Sequence, residues 1–248
     1  MKKIFHKICN RLKFEYDRLK MWYLYDGKII IPFDENWFKD KKVAIIGGAD
    51  SVLQEPLGNY IDSFDVVVRI NKGVQLIEKQ SDFVGTRTDV LFHAFFDKGK
   101  KDEGSSPITL NLWERHDVHN IIFALNYNNS YYAIENLLQF IKSSNLKRRI
   151  SQVSRKLDKE NCKVIKSPTT GFIAINTIFN CHPKELYLTG ITFMKTSHNQ
   201  EYRNLSKDYM SNTSHNTEDE FEYVKNLYFT YPNIIKPDKI LQSLFNNI

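Results

Sequence analysis

The chain has 248 residues and a formal net charge of +6, and 42% of its residues are hydrophobic and 13% aromatic. This composition excludes an intrinsically disordered chain, and the length predicts one α/β domain or at most two small ones. The positive charge is compatible with nucleic acid, an anionic membrane surface or an acidic small molecule, and does not choose among them. No apolar run reaches the roughly 20 residues of a membrane-spanning helix, and no signal peptide is visible.

The number and spacing of the cysteines indicate whether the protein is held together by disulfide bonds. Cys9, Cys162 and Cys181 are few, odd in number and widely spaced, so a disulfide framework is not expected. A reducing compartment is the simplest interpretation. The spacing of histidines and cysteines likewise predicts no zinc site.

Residues 1–25 combine lysines and arginines with apolar residues at helical spacing. Ile4, Ile8 and Leu12 fall near one face of the predicted helix, with basic residues around the rest. A basic amphipathic helix of this kind can lie on an anionic membrane surface, and the alternative is a helix packed on the domain or a basic arm without a partner. We therefore divide the chain into a basic amphipathic segment, residues 1–30, and a second unit, residues 31–248.

Short apolar runs rich in β-branched residues predict buried strands in the second unit. The first run, residues 43–46, is followed by small and polar residues: Gly47, Gly48, Ala49, Asp50 and Ser51. The second, residues 61–71, ends with Arg69 and Asn71. Further strands are predicted at residues 89–93, 120–125, 164–165, 185–190 and 233–236.

Helical spacing of apolar residues predicts helices between these strands. They are expected at residues 131–146, 147–160, 172–180, 218–229 and 240–245, and the polar stretch 194–214 is predicted to be a loop or lid. Strands that are apolar throughout and alternate with helices predict a single doubly wound, mostly parallel sheet with helices on both faces, a Rossmann-like α/β fold.

Polar groups follow several of the predicted strands, and in such a sheet ligands bind at the carboxyl ends of the strands. Gly47 and Gly48 offer backbone N–H groups, and Asn71 offers an amide. Where a predicted helix opens, hydroxyl and N–H groups come together at an end whose dipole favours an anion. The residues there are Thr169, Thr170 and Gly171, and Gly190 ends a further strand. Each signal alone is equally typical of a structural turn or an ordinary N-cap.

Three motifs are absent. The sequence has no G-x-G-x-x-G and no G-x-x-x-x-G-K-[ST], which argues against a dinucleotide site and a P-loop. It also has no Asp-x-Asp, so a metal-bridged diphosphate has no obvious ligand pair. The pattern therefore favours a nucleotide site of another kind, with no metal expected.

One histidine stands directly ahead of a predicted helix whose first turn is acidic. His215 is followed by Glu218, Asp219 and Glu220, and a histidine oriented by an acid can act as a general base. The alternative is a surface histidine beside a solvated acidic helix start. His93, at a strand end, and His198, in the predicted loop, are rival candidates.

Taken together, three stretches resemble the sialyltransferases of glycosyltransferase family 29. Residues 43–88 resemble the family's long motif, with Ala-Ile-Ile-Gly, Ile-Asp-Ser-Phe-Asp, Val-Val-Val-Arg-Ile-Asn and Val-Gly-Thr-Arg-Thr in order. Residues 168–190 resemble the short motif, and residues 215–220 the very short His-x-x-x-x-Glu motif. The joint occurrence in the family's order is far more specific than any one piece.

The resemblance implies an inverting, metal-independent transfer of sialic acid, or a related acidic sugar such as Kdo, from a CMP-sugar donor to a glycan or glycolipid acceptor. It implies that the turn at Gly47 and Gly48 holds the cytidine nucleotide together with Asn71. Thr169, Thr170 and Gly171 would contact the nucleotide or the sugar carboxylate. His215 would be the general base, and Glu220 would support its helix start. Residues 31–248 are then a glycosyltransferase domain of the GT-A-variant sialyltransferase type.

The chain departs from the family pattern at specific positions. Gly48 stands where members usually carry Asn, and Val43 stands near the position of a cysteine whose partner matches Cys181. The expected membrane span of luminal members is also missing. These departures favour a cytoplasmic enzyme of bacterial type that acts on lipid-linked or surface glycans, peripheral on the inner membrane face. The family's aromatic motif has Tyr202 and Tyr209 as its nearest candidates.

Two alternatives belong to other classes. A basic nucleotide- or RNA-binding α/β module without transferase activity fits the charge and the aromatic residues, although no RNA-binding signature appears and no nucleic-acid partner is expected. A different Rossmann-type enzyme, such as a reductase, lacks its dinucleotide fingerprint.

Overall fold

The computed structural model describes residues 2–25, 30–96, 107–124, 131–143, 149–153, 155–203 and 215–247. The strands in these ranges are β1 (Ile30–Pro32), β2 (Lys42–Ile46), β3 (Val66–Ile70), β4 (Val90–His93), β5 (Asn120–Phe123), β6 (Arg149–Gln152), β7 (Glu185–Thr189) and β8 (Ile235–Pro237). The α-helices are α1 (Lys2–Tyr25), α2 (Gly58–Asp62), α3 (Ile77–Val84), α4 (Leu110–Arg115), α5 (Tyr131–Ser143), α6 (Arg155–Val164), α7 (Thr170–Phe179), α8 (Thr217–Thr230) and α9 (Lys239–Asn246). Three 3₁₀ segments, Glu35–Trp37, Asp50–Gln54 and Asn71–Leu76, connect some of them.

The strands form one sheet in the order β1-β6-β5-β4-β3-β2-β7-β8, and every neighbouring pair is parallel. This confirms the predicted single, doubly wound α/β sheet. From β2 the chain adds β3, β4 and β5 on one side, and it later adds β7 and β8 on the other. The strand order therefore reverses at β2, and the carboxyl ends of β3, β2 and β7 border the crevice where such sheets bind ligands.

Both faces of the sheet are buried, which explains why its central strands read as continuous apolar runs. In β2, Val43 and Ile45 face one core while Ala44 and Ile46 face the other, and all four side chains are fully buried. Helices α7, α8 and α9 contribute to the first core. Helices α4 and α5 cover the opposite face over β4 and β5, and α2 and α3 cover it over β2 and β3.

The predictions failed around β6. Residues 149–152 form β6, paired with β1 and β5, although they were predicted as part of a helix at 147–160. The predicted strand at 164–165 is also wrong, because Val164 ends α6. Strand β1 was not predicted at all. The reason is that β6 has one large apolar residue, Ile150, and β1 has three residues, so pairing between distant segments defines both strands.

The strand predicted at 61–71 is confirmed only for β3, because residues 61–62 end α2, and helices α2, α3 and α4 were not predicted. The other predicted strands and helices are present within a few residues of their predicted ends. Some predicted positions lie outside the described residues: the end of the strand at 125, the helix positions 144–148 and the loop positions 204–214. Cys9 and Cys181 are free thiols, and Cys181 is buried.

Helix α1 lies outside the sheet and packs alongside α5. Across the described ranges, no helix is long and apolar enough to cross a membrane.

Candidate active site

The turn that follows β2 is packed directly against the turn that follows β7. Gly47 donates its N–H to the Thr189 carbonyl at 2.9 Å, and a Cβ on Gly47 would lie 2.2 Å from the Gly190 carbonyl oxygen. Gly190 has a φ of +66°, in the left-handed region that glycine adopts without strain. Both glycines are therefore required by the close approach of two backbones, which sets the rim of the crevice.

Most backbone N–H groups of the first turn are already used within the protein. Ala49 donates to the Gly190 carbonyl at 2.8 Å and Asp50 donates to the Ser197 carbonyl at 3.0 Å. Within the described residues, the N–H of Gly48 has no protein acceptor. The turn thus offers a ligand one N–H group at Gly48, fewer than the sequence suggested.

Asp50 and Ser51 bind protein groups. The Asp50 carboxylate accepts a hydrogen bond from Thr196 Oγ1 at 2.7 Å. Ser51 Oγ, Thr189 Oγ1 and the Gly190 N–H all lie within 3.0–3.3 Å of Asp238 Oδ2. These contacts assign Ser51 and Gly190 to the support of the rim.

Asp238 was missed by the sequence reasoning, although it carries a readable signal. Its Oδ1 accepts the Leu241 N–H at 2.8 Å, so it is the N-cap of α9, and an Asp between Pro237 and an apolar helix is a typical N-cap position. The buried carboxylate therefore ties the ends of β2, β7 and β8 together.

Asn71 follows β3 and connects its end to the end of β4. Its φ of +47° is in the left-handed region, and its side chain is 8% exposed. Oδ1 accepts the N–H of Ala94 at 3.0 Å, and Nδ2 has no acceptor in the described part of the chain. The amide is oriented by the protein on one side and keeps two N–H donors for a ligand on the other.

Helix α7 brings its N-terminus to the same edge. Because α7 leads into β7, it runs antiparallel to the strands and starts beside their carboxyl ends. Thr169 is the N-cap and accepts the Phe172 N–H at 3.1 Å. The first-turn N–H groups of Thr170 and Gly171 have no acceptor among the described residues. A Cβ on Gly171 would meet only Thr169 Oγ1, at 3.7 Å, so the backbone faces open space that suits an anion.

Glu220 is fully buried and binds the start of α7. Its carboxyl oxygens accept the Thr169 N–H at 2.5 Å and Thr169 Oγ1–H at 2.8 Å. Burial raises its pKa to about 7, partly offset by these two hydrogen bonds. The resemblance implied support for the helix that begins after His215. The structure shows that Glu220 lies in α8 but caps α7, so it joins two helices at the crevice.

His215 stands two residues before α8. Its Nδ1 is 2.8 Å from the carbonyl oxygen of Ser167, which itself has a φ of +59°. A carbonyl only accepts hydrogen bonds, so this contact selects the tautomer with the proton on Nδ1 and the lone pair on Nε2. His215 and Glu220 are thus both bound to the short segment ahead of α7, His215 through Ser167 and Glu220 through Thr169.

The rival histidines have structural partners. His93 is fully buried, accepts the Phe95 N–H on Nδ1 and contacts the Pro107 carbonyl through Nε2, and burial lowers its pKa to about 3. His198 contacts the Gly48 carbonyl through Nδ1 at 3.3 Å and stacks on Tyr202, and burial lowers its pKa. His198 therefore shares the Nδ1–carbonyl contact of His215, but its Nε2 is buried without a partner in the described residues, whereas His215 is exposed ahead of α8.

Tyr202 occupies the space above Gly48. A Cβ on Gly48 would lie 2.5 Å from the Tyr202 ring, which is 5% exposed. An amide side chain at position 48, as the family pattern implies, would need the volume that this ring fills. The segment carrying Tyr202 is held by hydrogen bonds between Asn199 and Gln80 and between the Gln75 amide and the Tyr202 carbonyl. Tyr209 lies outside the described residues.

We expect Gly48→Ala to lower the free energy of unfolding by about 1–3 kcal/mol, the usual cost of overpacking. Gly171→Ala is the matched control, and its change is expected within about 0.5 kcal/mol because the added methyl meets open space. Urea titration of both variants measures the difference.

The partner of Gly48 can be tested in the same experiment. We expect Tyr202→Ala alone to lower the free energy of unfolding by about 3–5 kcal/mol. In the Tyr202→Ala background, Gly48→Ala should lower that free energy much less than it does in the native chain. Additive losses in the double variant would show that the ring does not determine the glycine at position 48.

No cluster of three or more histidine, cysteine, aspartate or glutamate side chains suited to a metal ion occurs in the described ranges.

The crevice therefore combines one helix N-terminus, an oriented amide and an oriented histidine at the switch point of a parallel sheet, as in nucleotide-binding α/β proteins. The sequence profile of glycosyltransferase family 29 (sialyltransferase) matches residues 35–230, and the chain belongs to this family. The human type 2 lactosamine alpha-2,3-sialyltransferase is 28% identical over 203 residues, which are 74% of this chain. The chain spans 59% of the length of that curated relative.

Solved structures share the fold. A mammalian sialyltransferase, crystallised with Gal-beta-1-3GalNAc-ortho-nitrophenol, has a TM-score of 0.55 at 14% identity, covering 91% of this chain and 79% of its own. The sialyltransferase CstII from Campylobacter jejuni, in complex with cytidine-5'-monophosphate, has a TM-score of 0.51 at 17% identity, covering 80% of each chain. These similarities confirm the predicted sialyltransferase type of α/β fold.

Proposed function

We propose that this chain transfers sialic acid from CMP-sialic acid to a hydroxyl group of a galactose-terminated glycan, with inversion at the anomeric carbon and without a metal ion. The observation that carries the proposal is the convergence of Asn71, the α7 N-terminus and His215 at one edge of the sheet, with Glu220 binding Thr169 between the two helices. Family membership supports the donor class, and the glycans named for the relatives support the acceptor class.

The proposed reaction is a single displacement. The acceptor hydroxyl oxygen attacks the anomeric carbon while the bond from that carbon to the phosphate oxygen of CMP breaks. His215 Nε2 takes the hydroxyl proton, because the Nδ1 contact with Ser167 leaves the lone pair on Nε2. Attack from the face opposite the leaving group inverts the anomeric centre.

CMP leaves with an additional negative charge on its phosphate. The N–H groups of Thr170 and Gly171 at the start of α7 are suited to hold this charge, since a helix N-terminus stabilises anions. Asn71 and the Gly48 N–H would hold the remainder of the nucleotide or the sugar carboxylate. Ala49, Asp50, Ser51 and Gly190 would act through the rim that they build. The proposed absence of a divalent ion rests on these neutral N–H donors, because the departing phosphate is a monophosphate at a helix N-terminus.

The first test is a comparison of ligands by thermal unfolding. CMP should raise the melting temperature of the protein, while AMP, UMP, UDP and NAD should not. The second is CMP release from CMP-sialic acid with a galactose-terminated acceptor, which should be unchanged by EDTA. CMP-Kdo in place of CMP-sialic acid distinguishes the two acidic donors.

The proposal fails if no cytidine nucleotide stabilises the protein. Stabilisation by RNA instead, lost on raising the salt concentration, would favour the nucleic-acid-binding alternative. Loss of turnover in EDTA, restored by a divalent ion, would overturn the metal-independent part alone.

A further inference from the structure

Helix α1 exposes an unusual amount of apolar surface. Of the eleven exposed large hydrophobic side chains in the described part of the chain, six lie on this one helix. They are Ile4, Phe5, Ile8, Leu12, Tyr16 and Leu19, each between 52% and 70% exposed. Such a concentration marks an interaction surface, since single exposed hydrophobic residues are normally scattered.

The exposed side chains form one stripe. At 3.6 residues per turn, the six positions fall within an arc of about 120° around the helix axis. Lys7 and Arg11 follow one border of this arc, and Lys13 lies beyond the other, all three exposed. Glu15 is the acidic residue within the arc, and its side chain is partly buried. We name this surface, the six apolar residues with Lys7, Arg11 and Lys13, the α1 face.

We propose that the α1 face docks on the surface of a lipid bilayer that contains anionic phospholipid. The apolar stripe would enter the boundary between headgroups and acyl chains, and the long basic side chains at its borders would reach the lipid phosphates. The charge pattern favours this partner. When the apolar stripe enters the bilayer, Lys7, Arg11 and Lys13 come close to the negatively charged lipid headgroups and are attracted to them.

A second copy of the chain fits the α1 face less well. In a two-fold symmetric contact each surface meets itself. If the two helices are antiparallel, the borders with Lys7 and Arg11 of both copies meet, and if they are parallel, each such border meets the side of the other copy that carries Lys13. The like charges brought together in such a contact repel each other. Since α1 lies outside the sheet against α5, the face can meet a membrane without any change in the sheet or the crevice. The inference is therefore independent of the proposed reaction.

Vesicle co-sedimentation of the full chain tests this docking. The protein should bind vesicles of phosphatidylcholine mixed with phosphatidylglycerol, and it should bind pure phosphatidylcholine at least about tenfold more weakly. Raising the salt concentration should weaken binding to the vesicles that contain phosphatidylglycerol and leave binding to pure phosphatidylcholine nearly unchanged. Equal binding to both kinds of vesicle would overturn the role of charge.

Two double variants separate the stripe from its borders. Ile8→Glu with Leu12→Glu should abolish binding to both vesicles, and Lys7→Glu with Arg11→Glu should lower binding to the anionic vesicles by more than about tenfold. Lys41→Glu with Lys184→Glu is the matched charge control, since both lysines are exposed at the amino edge of the sheet. Phe229→Glu is the apolar control, at a residue of α8 that is 53% exposed. Both controls should bind as the native protein does.

Circular dichroism and thermal unfolding of every variant exclude a folding defect as the cause. Light scattering in solution gives the competing outcome. The competing outcome is a native chain that forms a dimer and does not bind vesicles, together with α1 variants that are monomers. In that case the α1 face contacts a second copy and the proposal is wrong. Native-like binding by both α1 variants would overturn it as well.

Discussion

We expect His215→Ala to lower the turnover of CMP-sialic acid by about two to four orders of magnitude, the range that loss of a general base produces. The effect should fall mainly on kcat, because the proposed proton transfer occurs in the transition state and the nucleotide is held by other groups. His215 is exposed and contacts the Ser167 carbonyl at the surface, so the melting temperature should change little.

A matched control is available at the amino edge of the sheet, opposite the crevice. His119→Ala removes an exposed histidine paired with Asp117 just ahead of β5, at the amino edge of the sheet. Its turnover should equal that of the native chain. CMP should stabilise the His215→Ala variant as much as it stabilises the native chain. Near-normal turnover of a folded His215→Ala variant would show that another group accepts the proton.

The second large effect is expected on stability, at Arg69. This side chain is fully buried, and its guanidinium donates to the carbonyl groups of Val84, Gly85 and Arg87 at 2.8–3.1 Å and to Thr88 Oγ1 at 3.0 Å. Burial lowers its pKa to about 10, so the group stays charged at neutral pH. Replacement leaves buried carbonyl groups without their donors.

We therefore expect Arg69→Met to lower the free energy of unfolding by about 3–5 kcal/mol, the range for removing one partner of a buried charged network. Methionine keeps most of the length and none of the hydrogen bonds. Arg115→Met is the matched control, since Arg115 is 57% exposed and pairs with Glu78 at the surface, and its loss should stay below about 1 kcal/mol. Urea titration measures both, and similar losses in the two variants would contradict the network.

The contacts of Arg69 show what much of the long motif does in this protein. Asp62 accepts the N–H groups of Thr86 and Arg87, and Arg87 in turn donates to the Asp62 and Phe64 carbonyls. These hydrogen bonds join the segments before and after β3, and none of them involves Gly47 or Gly48. The motif therefore largely defines how β3 is held, and its parts at the crevice are the turn at Gly47 and Gly48 and Asn71, which follows β3.

The sequence predicted the sheet and the carboxyl ends of its central strands, because strands buried on both faces are apolar throughout and are visible in a short window. It failed at β1, an edge strand of three residues, and at β6, the next strand, which has one large apolar residue. Local patterns carry no information about which distant segment supplies the hydrogen-bond partners of such strands. The helix prediction at 147–160 was therefore wrong where β6 pairs with its neighbours.

For the candidate site, the sequence by itself determined the residue types and their order along the chain: glycines after β2, Asn71 after β3, Thr169 at a helix start and His215 before another. Only the tertiary structure decided what each group does. It assigns Ser51 and Gly190 to Asp238, Glu220 to the cap of α7 and Tyr202 to the space above Gly48. The physical reason is that a donor or acceptor can be read from a residue type, whereas its partner depends on which segments the fold brings within hydrogen-bond distance.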